Sequence, residues 1–430
     1  MSKYIFLTCL SLIVPSFSDH VYRLAHLTDI HYDPYYRVGA PTHCLIGDYF
    51  GSRCCRDFSI PFDSTDRAGY WGNANCDTNL ALINQTLASL AKLIRDKRID
   101  AVLYTGDSNS HLDYLQFPWT IEERVSLITS LFKQHFNVPV YNVLGNHESW
   151  PIDNLDSDSW SYLANHVKQL WSPWLSSTSL QTLSKGGYYV EQLYDNLYLV
   201  VLQTIWYDSH NYLERVAHQN KGESSWSLAN QMHWLNQTLA ILEDNGGKVI
   251  ISGHVPPCAG EAGDFTNLFR NIVERYSNIL VSGIFGHEHY DSFRILNTKS
   301  DHNLVTFLSP SVVPDVNPRY RIFTFNITSD YAISHDVSLF DIETYWANLT
   351  YYNTKSMEMV NSNLEYHQLY SFRKLYNMDN LSIPSFQNLV SRLKNNDTLF
   401  DHYYWLRTTS DQLKSCRGYC QSSTIENLVC

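Results

Sequence analysis

Two histidines lie one residue apart in the segment IFGHEHYD, residues 284–291, at the end of an apolar run. Side chains at i and i+2 of an extended segment point to the same side, so His287 and His289 could bind one metal ion or two neighbouring ions. An isolated H-x-H is more often a polar turn whose imidazoles bind water. The rest of the chain must decide between these interpretations.

Four further segments share this pattern: an apolar run of strand character ends abruptly at residues that can ligate metal. A single such cluster is typical of an ordinary turn, because Gly, Asp, Asn and His are common there. Five clusters after five strand-like runs favour a common site instead. The four are VYRLAHLTDIH with Asp29 and His31, IDAVLYTGDSNSH with Asp107, VPVYNVLGNHE with Asn146 and His147, and KVIISGHVPP with His254.

The candidate ligands comprise two carboxylates, one amide and four imidazoles. This mixture suits zinc, iron or manganese, whereas calcium would call for more oxygen. Seven ligands exceed the usual protein complement of one tetrahedral site, so the sequence predicts two metal ions. The full set is Asp29, His31, Asp107, Asn146, His254, His287 and His289.

Asp107 is the candidate for a carboxylate shared by both ions, because each ion then receives about four protein ligands. Two ions roughly 3.5–4 Å apart can activate water and hold the oxygens of a phosphoryl group during in-line displacement. A glycine directly precedes four of the candidate ligands, at Gly106, Gly145, Gly253 and Gly286. We interpret them as positions where a sharp turn needs conformational freedom.

Helical segments lie between several of these strands. The spacing of Leu80, Ile83, Leu87, Leu90 and Ile94 predicts one helix, and residues 121–132 have the same periodicity. Strands that alternate with helices indicate an α/β fold with a largely buried sheet, whose ligands gather beyond the carboxyl ends of the strands. All five polar clusters lie at such ends.

Composition and targeting signals restrict the function further. The net charge of −12 over 430 residues, without a cluster of Lys and Arg, excludes a sequence-independent nucleic-acid-binding surface. Residues 1–18 combine Lys3, an apolar stretch and small residues, which is typical of a secretory signal peptide. Since no later stretch approaches about 18 consecutive apolar residues, we expect no transmembrane segment.

Cysteines and sequons agree with export. Removal of Cys9 with the signal leaves eight cysteines, an even number that indicates disulfide bonds in a secreted protein. Six Asn-x-Ser/Thr sequons are compatible with glycosylation, at Asn84, Asn236, Asn326, Asn348, Asn380 and Asn396.

The ordered motifs D-x-H, GD, GNHE, GH and GHEH resemble the signature of the calcineurin-like metallophosphoesterases. Within that superfamily, TDIHYDPYY, GDSNSH, GNHESWP, GHVPP and FDIETYWANLT resemble the acid sphingomyelinase-like phosphodiesterases, over nearly all of the mature chain. The resemblance implies an α/β fold of the metallophosphoesterase type, a β-sandwich flanked by helices, with a small C-terminal helical subdomain.

The resemblance also implies how the metal ions, zinc in most members, would be held. Asp29, His31 and His289 would bind one ion, Asn146, His254 and His287 would bind the other, and Asp107 would bridge them. It further implies that His147 and His111 face the phosphate and the leaving group as catalytic residues, which stabilise charge or donate a proton. The alternative for His111 is an ordinary surface-loop histidine.

Three parts of the chain are expected. Residues 1–18 would be the signal peptide, 19–335 the catalytic domain, and 336–430 the helical subdomain, since 363–376 and 385–397 have helical spacing. The resemblance suggests the disulfides Cys44–Cys54, Cys55–Cys76 and Cys416–Cys420. Cys258 and Cys430 could bridge to each other, or Cys258 could be a free thiol.

We expect a secreted or lysosomal, monomeric phosphodiesterase. Because the first catalytic strand begins directly after the signal, with no saposin domain to present a lipid, soluble phosphodiester or nucleotide substrates are favoured. A sphingomyelin phosphodiesterase acting on phospholipid is the first alternative, and a non-catalytic binding protein is the second. For Trp119, Trp150, Trp171 and Trp174, packing in the core or in a pocket is favoured over a membrane-binding surface.

Overall fold

The computed structural model describes residues 20–45, 53–61, 65–212, 229–260, 265–330, 334–356, 363–408 and 416–430. These residues form two six-stranded sheets with helices around them. The predicted signal peptide, residues 1–18, lies outside the described residues. Within them, no helix is both long enough and apolar enough to cross a bilayer.

The first sheet has the strand order β12-β11-β10-β1-β2-β3. Its three ligand-bearing strands run parallel to one another, and the other three continue the sheet as antiparallel neighbours. The strands are β1 His20–Leu27, β2 Ala101–Tyr104, β3 Val140–Asn142, β10 Arg319–Asp330, β11 Ser334–Trp346 and β12 His367–Ser371.

The second sheet has the order β4-β5-β6-β7-β9-β8. Its four inner strands are parallel, and each edge strand pairs antiparallel with its neighbour. The strands are β4 Tyr189–Tyr194, β5 Leu197–Val201, β6 Lys248–Ser252, β7 Leu280–Phe285, β8 Ser292–Leu296 and β9 Leu304–Leu308.

Helices cover the outer faces of the sheets and form most of the C-terminal part. Both helices predicted from hydrophobic spacing are confirmed, as the first two of the set. In chain order the helices are α1 Leu80–Lys97, α2 Pro118–His135, α3 Ser157–Trp171, α4 Ser177–Gly186, α5 Gln231–Asp244, α6 Phe265–Tyr276, α7 Leu349–Ser356, α8 Phe372–Tyr376, α9 Ile383–Asn395, α10 Asp397–Thr408 and α11 Tyr419–Glu426.

The alternation of side chains along β1 and β2 divides the core into two layers. Leu24 and Leu103 belong to the main core, which also includes residues from the second sheet such as Ile250. Ala25 and Val102, one position along, pack with residues of α1 and α2 on the other face. The two sheets therefore share one apolar interface, and the expected α/β sandwich flanked by helices is confirmed.

The change from strands to helices occurs later than the sequence spacing indicated. Residue 335, the expected boundary, lies within β11, which is hydrogen-bonded to β10 along the first sheet. Residues 367–371, expected to be helical, form β12 at the edge of that sheet. The helical spacing of residues 385–397 is confirmed by α9. Cross-strand pairing, which a local periodicity does not report, overrode the helical pattern at β12.

The eight described cysteines form four disulfide bonds. Cys44–Cys54, Cys55–Cys76 and Cys416–Cys420 are paired as expected. The open question about Cys258 is resolved, because it is bonded to Cys430. The C-terminal tail is therefore attached to the loop that follows β6.

Candidate metal centre

The seven predicted ligands converge on one place, at the carboxyl ends of five strands from both sheets. Three strands of the first sheet provide one part of the set: β1 precedes Asp29 and His31, β2 precedes Asp107, and β3 precedes Asn146. Neighbouring strands β6 and β7 of the second sheet provide the rest: His254, His287 and His289. The single buried sheet inferred from the strand pattern is thus two sheets, whose ends meet at the centre.

One group of ligand atoms consists of Asp29, His31, Asp107 and His289, whose donor atoms all lie within 4.8 Å of one another. The Nε2 atoms of His31 and His289 are 3.1 Å apart. Asp29 Oδ1 lies 3.3 Å from Nε2 of His289, and Asp107 Oδ2 lies 3.4 Å from Nε2 of His31. Imidazole nitrogens and carboxylate oxygens facing one another at this spacing fit a divalent cation.

The second group consists of Asp107, His254 and His287, again with donor atoms within 4.8 Å of one another. Nε2 of His254 lies 3.2 Å from Asp107 Oδ2 and 2.9 Å from Asn146 Oδ1. Asn146 Oδ1 also lies 3.1 Å from Nδ1 of His287. Asp107 is the one residue common to both groups, which is the arrangement that a shared carboxylate requires.

Three of the imidazoles have their outward nitrogen held by a hydrogen bond. Nδ1 of His31 is 2.7 Å from the Asn109 carbonyl oxygen, and Nδ1 of His254 is 2.6 Å from that of Thr105. Nδ1 of His289 is 2.6 Å from Asp315 Oδ2. Each of these acceptors requires a proton on Nδ1, so the lone pair of Nε2 is directed into the centre, as in a metal-bound histidine.

The backbone at the ligands adopts an unusual conformation. Asp29, His31, Asp107, His287 and His289 have φ between 46° and 74°, in the left-handed region that non-glycine residues rarely enter. Such strain persists only where the surroundings enforce it, and it is concentrated at functional sites. The turns after β1, β2 and β7 are therefore shaped by the centre rather than by local sequence preference.

The glycines beside the ligands are needed for two different reasons. Gly106 has φ +97°, which agrees with the predicted need for conformational freedom. At Gly145 and Gly286 the reason is space: a Cβ would lie 2.1 Å from Asp107 Oδ1 in the first case and 2.8 Å from Asp29 Oδ2 in the second. A side chain at either position would displace a ligand.

Glu148 supports the centre from the loop that follows β3. Its buried carboxylate accepts hydrogen bonds from the backbone N–H groups of Asp107 (2.9 Å), Gly145 (2.7 Å) and Ser108 (2.5 Å). It thereby joins the loops that follow β2 and β3. Glu288 instead pairs with Arg294, at 2.5 Å.

Without metal, the imidazoles respond to the buried carboxylates. Burial alone lowers the pKa of His289, but Asp29 and Asp315 outweigh it and raise the pKa to about 10. In the same way, burial opposes and Asp107 raises the pKa of His254, to about 9. The centre therefore attracts positive charge, which a bound cation would supply in place of these protons.

His147 and His111 lie against the ligands without being part of the predicted ligand set. The His31 ring stacks on His111, with 4.0 Å between centroids, and meets His147 edge-on at 4.7 Å. His147 is buried, and its Nδ1 has no hydrogen-bond partner among the described residues. His111 is bonded through Nδ1 to Asp77 Oδ1, at 2.6 Å. Both imidazoles are thus available beside the ligands.

Sequence reasoning missed the residues that support the ligands from behind. Asp315 binds His289, Asp77 binds His111, and Asp153 Oδ1 accepts a hydrogen bond of 2.8 Å from Asn146 Nδ2. No motif surrounds Asp77 or Asp315. Only their proximity in the folded chain identifies them. His26, by contrast, is a core residue whose ring nitrogens are hydrogen-bonded to Ser309 and Thr105.

The tryptophans near the centre differ in environment. Trp171 is buried in the core as expected. Packing is the wrong expectation for Trp119, which is 62% exposed. Trp150 is 45% exposed and lines a cavity of about 310 Å³, together with Ile121 and Leu155. Apolar surface is therefore present next to the loop that carries His147.

Comparison with known proteins finds relatives of this chain. The chain is 29% identical to sphingomyelin phosphodiesterase A of Dictyostelium discoideum, over 95% of this chain and 66% of that protein. It is 27% identical to the cyclic GMP-AMP phosphodiesterase SMPDL3A of Bos taurus, over 92% and 85% of the two chains. A solved dimetal phosphatase from Danio rerio is 14% identical, with a TM-score of 0.45, over 74% of this chain and 98% of that one.

The family itself is shown by a match to the calcineurin-like phosphoesterase model over residues 22–291. That range begins in β1, ends directly after the GHEH motif, and contains all seven convergent ligands. The predicted resemblance is confirmed, and the enzyme class that it implies, a metal-dependent phosphoric diester hydrolase, is supported. The chain belongs to the calcineurin-like phosphoesterases, among relatives of the acid sphingomyelinase-like type.

Proposed function

We propose that this protein is a two-metal phosphodiesterase that hydrolyses phosphodiester or pyrophosphate bonds. The observation that carries the proposal is the position of Asp107, whose carboxylate belongs to both groups of converging ligand atoms. Asp29, His31 and His289 would hold one divalent ion, and Asn146, His254 and His287 would hold the other. The imidazole-rich ligand set favours zinc.

When bound, such a pair of ions activates water near neutral pH and neutralises charge on the phosphoryl oxygens. The residues of the chain supply what the ions do not. His147 is buried beside the ligands, and its Nδ1 makes no hydrogen bond with a described residue, so it is placed to stabilise charge that develops on the phosphoryl group. His111 is placed to give a proton to the departing oxygen, because an alkoxide leaves far more readily once it is protonated.

We favour soluble nucleotide-type substrates over lipids. The preference is supported by a relative named for cyclic GMP-AMP, which is covered over 85% of its length, while relatives named for sphingomyelin or sphingomyelinase are covered over 60% to 87%. The second candidate, hydrolysis of sphingomyelin with release of phosphocholine, is favoured by the exposed Trp119 and the apolar cavity beside Trp150. Apolar surface of this kind often marks contact with lipid or an apolar ligand.

The four disulfides favour an oxidising compartment, so we propose that the protein is secreted or lysosomal. A monomer and the predicted signal peptide at residues 1–18 remain parts of this proposal. So does a C-terminal helical subdomain, which we place after β12 instead of after residue 335.

The test combines metal analysis of the purified protein with a substrate panel. We expect two equivalents of metal, predominantly zinc, and hydrolysis of cyclic dinucleotides and nucleotide diesters that exceeds hydrolysis of sphingomyelin in vesicles. The Asp107→Asn variant, purified in parallel, controls for contaminating hydrolases. Activity on sphingomyelin alone would overturn the substrate assignment. Stoichiometric metal without hydrolysis of any diester would favour a non-catalytic binding protein.

A further inference from the structure

A row of buried charged residues outside the predicted ligand set is hydrogen-bonded to the side of His111 that bears Nδ1. Asp77 is fully buried, and its Oδ1 is 2.6 Å from Nδ1 of His111. Its Oδ2 accepts hydrogen bonds from the backbone N–H of His111 (3.0 Å) and from Arg56 (3.1 Å). Arg56 is 1% exposed, and its Nε also donates to Asp33, at 2.6 Å. Both oxygens of Asp77 are therefore engaged, and two of the three bonds are to one residue.

Asp77 and Arg56 belong to a segment that is cross-linked by a disulfide bond beside the centre. Cys55 and Cys76, bonded to each other, directly adjoin Arg56 and Asp77 in the sequence. The backbone N–H of Thr78 also donates to the His31 carbonyl oxygen, at 3.0 Å. The segment is thus tied both to itself and to a ligand-bearing loop, so that Asp77 has little freedom to move away from His111.

This arrangement has a specific consequence for His111. A carboxylate accepts hydrogen bonds only, so Asp77 requires a proton on Nδ1 and directs Nε2 away from itself. One ring nitrogen of His111 lies within 4.8 Å of donor atoms of His31 and His289, so the ring borders the metal ligands. In free solution a protonated imidazole would adopt several orientations, and only some of them direct Nε2–H at a leaving oxygen. Once that proton is given, the neutral ring keeps its remaining proton on Nδ1, which is hydrogen-bonded to Asp77.

We infer that Asp77, held by Arg56, is a positioning residue that fixes the orientation of His111 and keeps its Nδ1 protonated, so that Nε2–H can be given to the leaving group. The inference rests on the proposed phosphodiesterase function. In the reaction the bond from phosphorus to the leaving oxygen breaks while water forms the new bond to phosphorus. The proton on Nε2 of His111 passes to the leaving oxygen. Before the step the ring carries a proton on each nitrogen. Loss of the Nε2 proton leaves the ring neutral, with Nδ1–H donated to Asp77, and Nε2 is reprotonated by the proton released from the attacking water.

A purely structural role is the competing explanation, because a buried ion pair that loses one partner destabilises any fold. The two roles differ in their dependence on the leaving group. A positioned acid matters when the departing oxygen needs a proton, as an alkoxide does, and hardly at all for 4-nitrophenolate, which leaves unassisted. Structural damage lowers both rates together.

The experiment compares the methyl ester and the 4-nitrophenyl ester of thymidine 5′-monophosphate as substrates of the full-length, metal-loaded protein. We expect Asp77→Asn to lower kcat on the methyl ester by about 10- to 100-fold, with KM and metal content unchanged, and to alter hydrolysis of the 4-nitrophenyl ester little. His111→Ala should give the same selective loss. In the His111→Ala background, Asp77→Asn should then cause no additional loss, because the two residues act as one unit.

Asp57→Asn is the matched control, since Asp57 lies in the same segment and its side chain is 75% exposed. It should match the wild type on both esters. If Asp77→Asn is not recovered folded, Asp77→Glu retains the charge beside Arg56 but displaces the imidazole, and it should show the same selective loss. Equal losses on both esters, or the loss of a metal equivalent from His111→Ala, would overturn the role of Asp77 and leave the proposed function standing. Wild-type protein that hydrolyses neither ester would overturn both.

Discussion

Two buried polar clusters differ in how their charge is balanced. One includes His289 and the other includes Asp291, two residues further along the sequence. His289 belongs to the metal centre, where Asp29 and Asp107 form ion pairs only with histidines among the described residues. Asp291 belongs to a second cluster, where its carboxylate meets the guanidinium groups of Arg321 and Arg319.

The second cluster carries its own counter-charge. The Tyr370 hydroxyl donates to Asp291 Oδ1 at 2.6 Å, and Arg319 also donates to the Leu406 carbonyl oxygen in α10, at 2.6 Å. The cluster thereby connects β10 to the C-terminal helices, and its carboxylate is neutralised by arginines without an added cation. A buried carboxylate with a fixed cation indicates a structural role, whereas buried carboxylates faced only by imidazoles indicate that a cation must be supplied. The same substitution, Asp to Asn, should therefore act differently in the two places.

The largest effect is expected at the metal centre. Asp107→Asn conserves shape but removes the shared carboxylate, so we expect turnover to fall by at least about 10³-fold. In the metal-free protein Asp107 pairs with His254, which can release its proton when the carboxylate is lost, whereas an arginine cannot. The metal-free variant should therefore lose less stability than Asp291→Asn does. Kinetics and urea unfolding in chelator measure the two effects. Wild-type turnover in this variant would contradict the assigned role of Asp107.

In the second cluster the pattern should be reversed. Asp291→Asn leaves Arg319 and Arg321, both fully buried, without their carboxylate, and should lower the free energy of unfolding by about 3–5 kcal/mol. The turnover of molecules that remain folded should change little, because Asp291 is not a ligand. Urea unfolding and active-site-normalised kinetics separate these quantities. A specific loss of turnover with unchanged stability would show that the contrast between the clusters is wrong.

Removal of metal sharpens the comparison without any mutation. Since ions that bind only the folded state stabilise it, chelation should lower stability by about 2.7 kcal/mol for each site previously held at 100 times its dissociation constant. Adding zinc back should restore the melting temperature of the wild type and of Asp291→Asn. The melting temperature of Asp107→Asn should respond much less, because its shared ligand is missing. An unchanged wild-type melting temperature in chelator would argue against any tightly bound metal.

The smallest effect is expected for the link between the tail and the loop after His254. Cys430→Ser opens a bond that spans 172 residues, yet Cys430 N–H also donates to the Ile295 carbonyl oxygen, at 3.0 Å, and keeps the tail in register. We expect a loss of about 2 kcal/mol, towards the low end for a native disulfide. Metal content should be unaffected. Metal loss in this variant would show that the tail also holds the His254 loop in its ligand position.

Much of the site could be predicted from the sequence, because the pattern that marks each candidate ligand lies within a short segment. Each ligand directly follows an apolar strand, and a strand that ends in a glycine-rich turn places its next polar side chains at the sheet edge whatever the rest of the fold does. Asp29, His31 and Asp107 could therefore be named from short segments, together with the helices at residues 80–97 and 118–135.

Other features depend on contacts between distant segments. Whether β6 and β7 share a sheet with β1 is decided by pairing, and residues 367–371 became a strand because β11 offered an edge. Asp77 and Asp315 became supports only because folding placed them within 2.6 Å of imidazoles that lie 34 and 26 residues away. The sequence by itself determined which side chains could bind metal and that they follow strands, since those are properties of residue type and neighbouring residues. The tertiary structure alone decided how the candidate ligands are grouped, that Asp107 belongs to two of these groups, and which buried carboxylates face imidazoles instead of arginines, because distance and dielectric surroundings exist only in the folded chain.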